Sequence, residues 1–108
     1  MITDSLKDFI HFQVLDGDIE LNLDSHEALC AAKPLKLTVS EFRLLEALLK
    51  GRGSVMTRER LIERVQGHDV NVIERTIDTH VFGLRKKLGK CAEVIETIRG
   101  IGYRVNTE

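Results

Sequence analysis

From Phe9 to Leu37 the chain runs in short stretches that alternate apolar and polar residues with the two-residue period of strands, at 11–15, 19–23 and 28–31. Asp16-Gly17-Asp18 and Asp24-Ser25 supply turn residues between them, which predicts an antiparallel meander. Lys33-Pro34 makes another turn, and residues 35–37 suffice for a fourth short strand. Residues 1–8 carry no strong pattern and read as a loose amino-terminal segment or the remnant of a linker, leaving one domain over 9–108.

The period then changes to that of helices. Thr38 followed three residues later by Glu41 is a capping box, and a helix is expected over 39–50 with Phe42, Leu45, Leu48 and Leu49 as its core stripe. Gly51 and Gly53 are expected to end it. A second helix follows Thr57, a natural N-cap, with Leu61, Ile62 and Val65 inward and Arg58, Arg60 and Arg64 outward, and stops at Gly67. A third, over 72–88, gathers Ile73, Ile77, Val81, Leu84 and Leu88 in one narrow sector and turns Arg75, Thr79, Phe82 and Lys86 the opposite way. Residues 94–98 and 103–106 read as strands around the tight turn Arg99-Gly100-Ile101-Gly102, so the chain should close on a β-hairpin. The fold class is α+β: a four-stranded antiparallel sheet, three helices and a hairpin.

At 108 residues the chain suits a single module with its own core. Hydrophobic residues make up 43 % and charged residues 31 %, which excludes a disordered composition. No apolar run approaches membrane-spanning length and no signal-peptide core follows Met1, so a cytoplasmic protein is expected. Cys30 and Cys91 lack metal-ligand spacing and a secretory context, and are expected to be reduced, structural thiols. His11, His26, His68 and His80 assemble into no triad, zinc motif or phosphate loop, so neither catalysis, a metal nor a cofactor is expected.

Net charge is −1, which by itself argues weakly against nucleic acid, but its distribution argues the other way. Residues 1–50 hold five Lys/Arg against nine Asp/Glu, whereas 51–108 hold eleven against eight. The basic back half could face phosphates. A helix reads a duplex when one face is anchored in a core and the other offers cations, hydroxyls or small apolar groups to the groove, and the third helix meets both conditions. A solvated basic face shows the same periodicity, so the pattern alone does not decide.

Four ordered blocks decide it. Leu37-Thr-x-x-Glu41-Phe42-x-Leu44-Leu45 comes first, then Gly53-x-Val55-x-Thr57-Arg58-x-x-Leu61. Arg75-Thr76-Ile77-Asp78-x-His80-Val81-x-x-Leu84-Arg85-Lys86-Lys87-Leu88 and Ile95-x-Thr97-Ile98-Arg99-Gly100-Ile101-Gly102-Tyr103-Arg104 follow. Together these resemble the DNA-binding effector domain of the OmpR/PhoB family of bacterial two-component response regulators, over most of the chain. The resemblance implies a winged helix-turn-helix that binds double-stranded DNA at tandem half-sites, usually as two molecules head to tail, and regulates transcription. By matching position, Arg75, Thr76, His80 and Arg85 become phosphate contacts, Asp78 and Thr79 groove-facing positions, and Tyr103 a backbone contact near the wing. Thr97 and Arg99 become wing residues at the minor groove, where negative potential favours arginine. The loop from Gly67 to Asn71 corresponds to a segment that meets RNA polymerase in several relatives.

The chain also departs from the pattern. Gln66 stands where many members carry Trp, and Phe82 and Gly83 occupy positions more often polar or basic. Gly83 costs about 1 kcal/mol of helix propensity, which suggests that it permits close approach to DNA or a neighbouring subunit while Phe82 meets a thymine methyl. Tolerance of a surface position is the alternative. His80 also suits a satisfied structural histidine, and Asp78 a pair with a nearby Arg. No receiver domain fits in this length, so an excised effector domain is expected, a chain working without a receiver being the other option. The rival function is a winged-helix protein-interaction module that uses the acidic front sheet and has no affinity for DNA.

Overall fold

The structure, a computed structural model, describes residues 9–14, 17–65 and 73–106. The expectations for 1–8, for Gln66 and for the loop 67–71 lie outside the described residues.

Strands β1 (Phe9–Val14), β2 (Gly17–Asn22), β3 (Glu27–Cys30) and β4 (Lys33–Leu35) form an antiparallel sheet in chain order. Its register pairs Ile19 with Cys30 and Leu21 with Ala28, and these four side chains are buried on one face. The β2–β3 turn is held by Asn22, whose Oδ1 accepts from the backbone N–H of Asp24 and of Ser25.

Helix α1 (Val39–Gly51) starts at the expected capping box: Thr38 Oγ1 accepts from the Glu41 N–H at 3.1 Å, and the Thr38 N–H donates to Glu41 Oε1 at 3.0 Å. At its other end the left-handed cap residue is Arg52, between the two glycines expected to end the helix. The two-residue strand β5 (Met56–Thr57) leads into α2 (Arg58–Val65), where Thr57 Oγ1 accepts from the Arg60 N–H at 3.1 Å. Helix α3 (Glu74–Leu88) buries Ile77, Val81, Leu84 and Leu88. Ile73 does not join this stripe. It is the extended N-cap residue and 59 % exposed, because the helical angle that would turn it inward begins one residue later.

A 3-10 segment (Gly89–Val94) connects α3 to β6 (Ile95–Ile98), which pairs with β7 (Gly102–Val105). β7 also pairs with β5, so the expected hairpin is part of a three-stranded sheet in the order β5-β7-β6. Gly102 is fixed by that third strand, since a Cβ there would collide with the Met56 carbonyl. Gly100 takes the left-handed position of the turn between β6 and β7, closed by the Ile101 N–H donating to the Ile98 carbonyl at 2.9 Å.

One core joins the two sheets and three helices, running from Ile19 and Leu21 through Phe42, Leu45, Leu48 and Leu61 to Leu84 and Val105. The sequence reading of the cysteines is corrected here. Cys30 on β3 and Cys91 in the 3-10 segment form a disulfide with Cα atoms 6.3 Å apart. Sixty-one positions separate them in sequence, so spacing gave no hint that the fold brings them together, and the thiol argument for a reducing compartment falls. Among the described residues no helix is long and apolar enough to cross a membrane.

Candidate nucleic-acid interface

Burying one face of α3 turns Arg75, Thr79, Phe82 and Lys86 to solvent, with Thr76 half-buried beside them. Arg75 has no ion-pair or hydrogen-bonding side-chain partner among the described residues; its backbone carbonyl accepts from Thr79 Oγ1 at 3.2 Å. Phe82 is 64 % exposed and carries Lys86 Nζ 5.2 Å from its ring centre, a cation–π pair that stiffens both side chains. Across the β6–β7 turn, Arg99, Gly100 and Ile101 are exposed, and Arg99 likewise has no partner among the described residues.

The other expected contact residues are tied to each other. Asp78 Oδ1 accepts from Arg58 Nε at 2.8 Å and from the Tyr103 hydroxyl at 2.6 Å, which draws α2, α3 and β7 together. Burial pushes the Asp78 carboxyl upward, but the bonds from Tyr103 and Arg58 outweigh it and hold the pKa below the ordinary carboxylate value. Tyr103, only 5 % exposed, is shifted the other way, because burial and the bond to Asp78 both oppose ionisation. The guanidinium groups of Arg58 and Arg85 lie 5.7 and 5.9 Å from the centre of its ring.

Arg85 in turn donates from Nη2 to the Ile95 carbonyl at 2.9 Å and to Thr97 Oγ1 at 2.8 Å. It therefore fastens the carboxy-terminal half of α3 to the first strand of the wing. Asp78, Arg85 and Tyr103, expected to meet DNA, have these polar groups engaged inside the domain. Arg58, expected to point outward, turns to Asp78. The sequence missed Arg58 because its partner lies twenty positions away on another helix.

Two further expectations change. Gly83 does not open α3 toward DNA or a second subunit: a Cβ there would lie 2.7 Å from Glu41 Oε2, so the glycine makes room for the start of α1. Glu41 is itself buried, and its Oε1 accepts from both the Thr38 N–H and Lys87 Nζ, the latter at 2.7 Å. Burial raises the Glu41 carboxyl pKa, but Lys87 and Thr38 overcome this and lower it. His80 is half-buried with its Nε2 enclosed and, among the described residues, without a hydrogen-bonding partner, so that nitrogen is neither presented to a phosphate nor bonded as in a satisfied structural histidine.

The assembled surface is thus a helix with a partly apolar, basic face, beside a two-stranded wing tipped by arginine. Comparison with known proteins gives the same architecture a family. The family model for the C-terminal domain of transcriptional regulatory proteins matches residues 32–105. The chain belongs to this family. It is 43 % identical over 93 residues to the phosphate regulon transcriptional regulatory protein PhoB of Rhizobium meliloti, covering 84 % of this chain and 41 % of that protein. Against PhoB of Pseudomonas aeruginosa the identity is 38 %, with 85 % and 41 % covered. The chain therefore spans about two-fifths of the length of these relatives.

Solved structures extend the match to the whole of this OmpR/PhoB-type domain. The DNA-binding domain of response regulator AdeR, in complex with an intercistronic region, superposes with a TM-score of 0.74 at 30 % identity, covering 89 % of this chain and 99 % of that one. The DNA-binding domain of CpxR from E. coli gives 0.72 at 33 % identity, with 89 % and 95 % covered. The winged helix-turn-helix architecture read from the sequence is shared with both.

Proposed function

We propose that this domain binds double-stranded DNA in a sequence-dependent way and regulates transcription, with α3 in the major groove and the β6–β7 turn at the adjacent minor groove. The observation that carries this reading is the division of the basic residues. Arg75, Lys86 and Arg99 are exposed and unengaged by carboxylates among the described residues, while Arg85 and the Arg58–Asp78–Tyr103 cluster fix the helix and wing that present them. Arg75, Thr76 and Lys86 are the proposed phosphate or guanine contacts, Thr79 and Phe82 the groove-facing pair suited to a thymine methyl, and Arg99 the minor-groove residue. Thr97, exposed but accepting from Arg85, keeps its hydroxyl proton to donate to a phosphate near the wing.

Similarity to a domain solved with an intercistronic region supports DNA as the partner. Tandem half-sites occupied by two copies, contact of the 67–71 loop with RNA polymerase, and control by a receiver domain are carried over from the family as parts of the same proposal. The test is a fluorescence-anisotropy titration against a random duplex pool across a salt series, followed by selection from that pool. Affinity should fall steeply with salt, and selection should enrich a repeated half-site. Lys86→Ala should flatten the slope of log K against log salt by about 0.9, the contribution of one phosphate contact. Failure of the parent to bind at low salt would refute the proposal and turn attention to the acidic sheet as a protein-binding surface.

A further inference from the structure

A cavity of about 300 Å³ lies between α1, the end of α2 and the β2–β3 turn, lined by His26, Arg43, Glu46, Ala47, Lys50 and Arg64. It lies away from the DNA-reading face. Glu41 faces α3 at Gly83, and at about 100° per residue the positions of Arg43, Glu46, Ala47 and Lys50 fall roughly 140° to 240° around α1 from it. They occupy the opposite side of the helix.

The charge of the cavity calls for a ligand. Among the described residues its lining carries three permanent cations, Arg43, Lys50 and Arg64, against the single carboxylate of Glu46. Glu46 is already paired with Lys50 at 2.9 Å. The surplus is two positive charges, with His26 able to add a further donor. His26 is positioned for this by stacking on Phe42, ring centres 4.5 Å apart and planes within 11°.

We propose that this cavity is a binding site for a phosphate-type oxyanion, held by the charged groups of Arg43, Lys50 and Arg64. A dianion balances the surplus that a carboxylate would leave half compensated, and its tetrahedral oxygens accept from several directions, as converging donors on two helices and a turn require. An anion held by Arg43 and Lys50 of α1 and Arg64 of α2 bridges the two helices and stabilises the packing on which α3 rests.

The test uses the whole chain, labelled with nitrogen-15, and inorganic phosphate as the probe at constant ionic strength. The Arg43 Nε–Hε cross-peak should shift saturably with phosphate and remain still with chloride. Lys50→Gln and Arg64→Gln change partly exposed side chains, so the fold is kept, and each should weaken the phosphate response about tenfold. Arg75→Ala on α3 should leave it unchanged. A non-saturating response, an equal response to acetate, or loss of the response in Arg75→Ala would each overturn the assignment, the last by locating the bound phosphate on the DNA-facing surface.

Discussion

Breaking the Cys30–Cys91 disulfide tests how far this small domain depends on a covalent link between its front sheet and the end of α3. The bond spans 61 positions. Closing a loop of that length in the unfolded chain removes about 14 cal/mol/K of conformational entropy, or about 4 kcal/mol at 25 °C. That is a large share of the 5–15 kcal/mol typical of a domain, equivalent to a fall in melting temperature of roughly 15–30 °C. Reduction of the parent isolates the cross-link, since both sulfurs stay in the core, whereas Cys30→Ala with Cys91→Ala adds a packing loss. Urea unfolding followed by circular dichroism, with and without a phosphine reductant, measures the difference. The reduced protein should also show a larger m-value, because its unfolded chain is more expanded. A stability difference below about 1 kcal/mol would refute the chain-entropy reasoning. Two alkylatable thiols in the untreated, denatured protein would refute the pairing itself.

Gly83→Ala brings the gain of a better helix former, about 1 kcal/mol, into conflict with Glu41. That carboxylate is anchored by Thr38 and Lys87, so moving it weakens both the α1 cap and a partly buried ion pair. A net loss of about 1 kcal/mol is expected in urea denaturation; net stabilisation would mean that Glu41 swings aside freely. Tyr103 is the one tyrosine in a chain without tryptophan, so absorbance near 295 nm reads its ionisation alone. Its pKa is raised above 10.0 in the folded state, so its contribution to stability is complete below that value and is lost as pH rises through the folded pKa. Asp78→Asn should bring the midpoint down toward 10.0 while leaving the part due to burial; an unchanged midpoint would rule out the bond to Asp78 as a cause. Asp78 itself is lowered, so its contribution is complete above the ordinary carboxylate pKa and disappears as pH falls through the lower folded value. The acid limb of the stability profile should therefore be shallower in Asp78→Asn than in the parent, with an identical limb counting against the paired carboxylate.

What the sequence disclosed was local. The Thr38–Glu41 box, the stripe from Ile77 to Leu88 and the turn at Gly100 each depend on residues within a few turns of one another, and each is present. What it concealed depended on distance. Strand β5 is two residues long and has no period of its own; it is a strand because β7 lies alongside. The disulfide, the Arg58–Asp78–Tyr103 cluster and the Glu41–Lys87 pair join residues on different elements, which no spacing rule connects. Gly83 shows the difference most clearly. Its cost in helix propensity was visible, but its reason lay in a carboxylate forty-two positions earlier, so the cost was assigned to the surface in place of the helix contact.

The same distinction orders the cations. A run such as Arg85-Lys86-Lys87 looks uniform in sequence, yet successive residues on a helix point about 100° apart and meet three different environments. Arg85 reaches the wing, where one nitrogen donates to two acceptors and the guanidinium lies 5.9 Å from the centre of the Tyr103 ring. Lys87 reaches Glu41 and locks α3 to the start of α1. Among the described residues Lys86 meets neither carboxylate nor carbonyl; it rests over Phe82 and can exchange that contact for a phosphate. A net charge of −1 is therefore a poor guide to this domain. Of the charges that hold the helix and wing, Arg58 and Lys87 are neutralised by Asp78 and Glu41, whereas Arg85 bonds to neutral acceptors and adds its charge to the field outside the proposed reading surface.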